Sequence, residues 1–171
     1  MSQPEAWLRG PLEGVDSILM PAAHALVQAS EDIERAALDL AVEALWARTG
    51  GAASVGFHLR HIAGSTDRLL TYARGERLTE AQRQAMALEG EPGVPPANAP
   101  TLVREAQAVI ARALAAIKVA PKESLFDPRA IGRAALPTNV FGLLCHIAEH
   151  TQRHTGQVVT TAKIVRGLGL R

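Results

Sequence analysis

Histidine is over-represented where chemistry is concerned: the chain has six, as many as its Phe, Trp and Tyr together. His146, His150 and His154 follow one another at four-residue intervals, the spacing that stacks side chains on one face of a helix. At about 100° per residue, His154 lies about 40° from the direction set by Val140, Leu144, Ile147, Val158 and Val165, His150 about 80° and His146 about 120°. The inward pair is therefore His150 and His154. His146 lies about 12 Å of helix rise from His154, too far for all three to converge on one ion. An i, i+4 pair of imidazoles is an arrangement by which helices bind metals, although two hydrogen-bonded, half-buried histidines would look the same.

A third protein ligand would have to come from elsewhere, and His58 and His61 sit together in an earlier apolar segment. His58 is about 50° from that segment's apolar direction and His61 about 110°, so periodicity slightly favours His58. His24 falls off its apolar stripe and reads as solvated. Cys145, about 140° from the apolar direction of its segment, reads as neither ligand nor nucleophile. Trp7 and Trp46 read as packing residues, and Arg77 to Gln84 as a solvated face.

These side chains must be carried by helices. Ala and Leu supply 51 of the 171 residues, and few β-branched or aromatic residues remain to build strands. The first periodic segment runs from about Val15 to Leu45, with Pro21 either in its first turn or at a kink. Thr49, Gly50 and Gly51 end it. Ser54 caps a second segment of about twenty residues that reaches Gly75. Thr79 and Gln82 form a capping box for a short helix, followed by a Pro-rich connector from Glu89 to Pro100. A third long helix is expected from about Pro100 to Val119, an irregular stretch to Pro137, and a fourth helix from about Thr138 to Arg166. Four amphipathic segments imply an all-α four-helix bundle with long connectors, in a single domain over 1–171.

The segments SVGFHLRHIAGSTDRLLTYARG and GLLCHIAEHTQRHTGQVVTTAKIVR resemble the DinB-like, damage-inducible family over about Val15 to Arg166. The resemblance implies a DinB-like bundle in which one histidine from the second long helix joins a His-x-x-x-His pair just before Gly-Gln. It thus selects His61 rather than His58 to join His150 and His154. Thr155 stands where members often carry a basic residue. The resemblance further implies a homodimer and a metal-dependent enzyme, either a hydrolase or a thiol-dependent transferase or isomerase, acting on a small molecule with a low-molecular-weight thiol as cosubstrate. The alternative is a non-enzymatic metal-binding or dimerising bundle in a stress response.

Three neutral imidazoles leave a divalent ion at least one open position, as in catalytic sites. Zinc and nickel both accept such ligands. Gln157, one turn beyond His154, is the expected hydrogen-bond partner that orients a ligand. Thr151 and Thr155 follow the two ligands where a His-Glu-x-x-His peptidase would place its glutamate after the first, and Glu149 points away by phase. Arg129 and Arg133 could hold an anion, but solvated loop arginines are the simpler reading. A net charge of +1 argues against nucleic acid as a partner. The absence of a signal-like start or an apolar run of about 18 residues argues against a membrane. With one cysteine, the expectation is a cytoplasmic protein.

Overall fold

A computed structural model describes residues 3–170. Its α-helices are α1 (Met20–Ala37), α2 (Val42–Trp46), α3 (Val55–Ala73), α4 (Glu80–Ala87), α5 (Ala99–Val119) and α6 (Val140–Gly167). The four long ones form the bundle: α1 and α3 stand diagonally opposite, each packed against both α5 and α6. Gln152 on α6 donates to the Ala25 carbonyl of α1, and Arg166 further along pairs with Asp39 just beyond α1, so these helices run parallel. His58 faces His154 while Thr66 faces Thr151, which makes α3 and α6 antiparallel. The interior is built from Leu26, Ile33, Leu59, Ile62, Leu102, Ile110 and Ile147, all at most 1% exposed, with small Ala23, Ala29, Ala106 and Ala113 where backbones come close.

Local chemistry sets the helix starts. Pro21 sits in the first turn of α1, where its missing N–H is not needed, rather than at a kink. Ser54 Oγ accepts from the Phe57 amide at 3.1 Å, and Asn98 and Asn139 cap α5 and α6 in the same way. The Thr79–Gln82 capping box opens α4.

Two expectations require correction. The periodic segment from Val15 to Leu45 is not one helix: α1 ends at Ala37, and the chain turns so that Leu40 is buried before α2 begins. Periodicity continues across the break because both helices contribute to one core. The stretch before Pro137 is not wholly irregular, since Pro128–Ile131 (β1) and Leu136–Asn139 (β2) form an antiparallel hairpin with Arg129 opposite Thr138. Neither strand carries a β-branched run, so pairing across the turn at Gly132, not propensity, produces it.

Candidate metal centre

The antiparallel seam between α3 and α6 brings His61, His150 and His154 together, with one ring nitrogen of each lying within 4.8 Å of the others. His61 Nε2 is 2.9 Å from His150 Nε2. The rings of His61 and His154 are 4.4 Å apart at their centroids, and those of His150 and His154 4.6 Å. All three are half-buried. These are the three residues that the resemblance selects, and the group could hold one metal ion.

His58 occupies a different place. It is 5% exposed, and its Nδ1 lies 3.1 Å from Nδ1 of His154, on the opposite side of that ring from Nε2. Periodicity correctly finds His58 on the buried face, but burial puts it behind a ligand candidate. His61 reaches the cluster from the flank of the apolar stripe because α3 packs simultaneously against α5, α6 and α4. Burial, reinforced by the proximity of His61, pushes both His58 and His154 down to about 4. His150 is also lowered by burial and then by neighbouring His61. These neutral rings offer lone pairs to a cation. A donor set of crowded imidazoles, with His150 Nδ1 buried and without a hydrogen-bond partner among the described residues, suits a divalent ion.

Sequence reasoning misses Glu89. It lies in the connector after α4, is 6% exposed, and places Oε2 2.7 Å from His61 Nδ1 and Oε1 2.7 Å from Nη1 of buried Arg68. Burial alone would raise its pKa, but the hydrogen bonds from His61 and Arg68 together bring it below the usual carboxylate value. The connector is itself anchored: Arg60 donates to the carbonyls of Leu88, Glu91 and Pro92 while lying 4.9 Å over the Trp46 ring, and Trp46 Nε1 donates to Ala97 O at 2.9 Å. Gly64 and Arg68, three and seven residues after His61, are the local trace of this arrangement. A Cβ at Gly64 would overlap Glu89 Oε1 and come within 2.7 Å of Arg68 Nη1.

Gln157 is exposed and makes no hydrogen bond to the cluster among the described residues; His154 is contacted by His58, and His61 by Glu89. The difference is one of rotation: Gln157 lies on the same helix as the pair but faces solvent. Glu149 pairs with Arg153 and lies 3.0 Å from His146, away from the cluster, as its phase suggests. His146 remains outside the cluster, its side chain 46% exposed. Cys145 packs against the core, and burial raises its thiol pKa. His24 is half-buried rather than solvated, its Nε2 donating to Gly10 O at 2.9 Å. Trp46 packs as expected, whereas Trp7 is 61% exposed. Arg129 donates to Ala73 O and Pro128 O, which ties the hairpin to the end of α3.

Among the described residues no helix is long and apolar enough to cross a membrane. No curated protein matches the chain significantly. A family match covers residues 25–158, a span that includes α3, the Glu89 connector and all three clustered histidines, and by that match the chain belongs to the DinB superfamily.

Proposed function

We propose that the protein is a metal-dependent enzyme acting on a small molecule, with His61, His150 and His154 as the ligands of one zinc or nickel ion. The convergence of three ring nitrogens within 4.8 Å, from two opposed helices, carries this reading. When bound, the ion supplies Lewis acidity, either to a water for hydrolysis or to the thiol of a low-molecular-weight cosubstrate for transfer or isomerisation. The protein residues do the positioning. His58 and Glu89 close the site from behind by engaging His154 and His61, and Phe57 stacks on His61 with ring centroids 5.4 Å apart. The exposed part of the cluster is left for substrate.

The surroundings disfavour peptidase chemistry. Thr151 and Thr155 are buried at the positions after the two α6 ligands, with Thr155 Oγ1 donating to Thr151 O at 2.8 Å. Glu149 is occupied by Arg153 and His146, so no carboxylate on α6 stands ready as a base.

Elemental analysis of untagged protein should find about one equivalent of zinc or nickel per chain, and restoring metal after chelation should raise the melting temperature. His150→Ala should abolish stoichiometric binding. Full retention of metal by that variant would sink the assignment.

A further inference from the structure

We propose that Glu89, braced by Arg68, is the positioning residue of the metal centre, holding the His61 proton on Nδ1 and thereby presenting Nε2 to the ion. This rests on the reading of His61 as a ligand. The geometry admits one satisfactory tautomer. His61 Nδ1 lies 2.7 Å from Glu89 Oε2, and a bare nitrogen there would set lone pair against lone pair. With the proton on Nδ1, that contact becomes a charge-assisted hydrogen bond and Nε2 is left as a free lone pair. Nε2 is also the atom facing the cluster, 2.9 Å from His150 Nε2. In the metal-free protein His150 must then donate across this contact, and its other nitrogen, Nδ1, is the buried atom without a partner.

Glu89 needs its own support because a buried carboxylate is costly unless paired. Arg68 supplies it at 2.7 Å on the other oxygen, so each carboxylate oxygen has one donor. Gly64 leaves the space in which the two meet. The other candidate ligands lack an anionic partner among the described residues: His154 Nδ1 faces the neutral His58, and His150 Nδ1 faces no partner. His61 is therefore the ligand oriented most strongly, by a residue 28 positions away in the chain. The bond also ties the connector after α4 to the centre. Hydrogen bonds of this kind fix the ring and raise ligand basicity, and losing one lowers metal affinity by about 10–100-fold.

Two measurements on the full chain test the proposal. In metal-free wild-type protein at mildly alkaline pH, ring ¹⁵N–¹H correlation spectra should show His61 protonated on Nδ1. In Glu89→Leu the two tautomers should mix. Zinc affinity, measured by competition with a chromophoric chelator, should fall about 10–100-fold in Glu89→Gln and at least as far in Glu89→Leu, with helical circular dichroism unchanged. A wild-type His61 carrying its proton on Nε2 overturns the proposal without requiring any variant to fold. Affinities in both variants within twofold of wild type overturn it as well. Wild-type protein that binds no zinc or nickel overturns the metal reading itself, and the His61 tautomer then still decides whether Glu89 orients this ring.

Discussion

Mild acid should destabilise the metal-free protein well above the pH at which its surface carboxylates titrate. His58 and His154 face each other across 3.1 Å, and both are pushed from 6.5 down to about 4 in the folded chain, chiefly by burial. A histidine with a depressed folded pKa is held neutral. Its contribution to stability is complete above the unfolded value of 6.5 and is lost as pH falls from there towards 4. At pH 5 an isolated group of this kind would cost about 2 kcal/mol, because each unit of difference is worth about 1.4 kcal/mol over the titrating range. The two rings share one contact and therefore titrate as a coupled pair, so the pair should cost about 2–4 kcal/mol. Urea denaturation at pH 7.5 and pH 5.0, followed by circular dichroism in the presence of a chelator, reads this directly. His58→Gln removes one titrating ring while keeping a polar side chain, and should reduce the drop by about half. Added zinc should move the loss to lower pH, because a ligating imidazole must shed its proton. Equal wild-type stability at the two pH values, or an undiminished drop in His58→Gln, would refute the reasoning.

Gly64→Ala should reverse the usual sign of a helix-interior glycine replacement. The ordinary gain of about 1 kcal/mol is opposed by a Cβ that wedges into the Arg68–Glu89 contact, and disturbing a buried pair costs up to about 3–5 kcal/mol. A net loss of about 2 kcal/mol is expected in chemical denaturation, together with weaker zinc binding, and a stabilised variant would show that the pair yields freely. Asn139→Ala removes the side chain that accepts from the Gly142 amide at 2.7 Å and should cost about 1 kcal/mol, read as a fall of about 2–4 °C in melting temperature. Because His150 lies nearly three turns inside α6, zinc affinity should stay within twofold of wild type, and a larger loss would mean that the centre depends on the start of that helix.

The parts legible from sequence are those governed by short-range geometry. Ser54 and the Thr79–Gln82 box act on atoms within four residues, and each does in the fold what its type and spacing imply, whereas Pro21, open between a first turn and a kink, is placed in the first turn by the fold. The hairpin at 128–139 was illegible because its strands carry prolines and few β-formers, and only pairing defines them. The break after Ala37 was equally hidden, since a shared core preserves the apolar rhythm on both sides.

The candidate site divides along the same line. The i, i+4 spacing by itself puts His150 and His154 on one helix face, because helical geometry holds whatever surrounds the helix. Periodicity leans towards His58 and the resemblance selects His61; the tertiary structure puts His61 beside the pair and His58 behind His154. A phase angle measures distance from the mean apolar direction, but not which flank meets which neighbour, and α3 meets four helices, α2, α4, α5 and α6, at once. Glu89 had no periodic context at all. Its role is created by the packing of a proline-rich connector against α3, where Arg60 anchors the chain, Gly64 leaves the space and Arg68 compensates the buried charge.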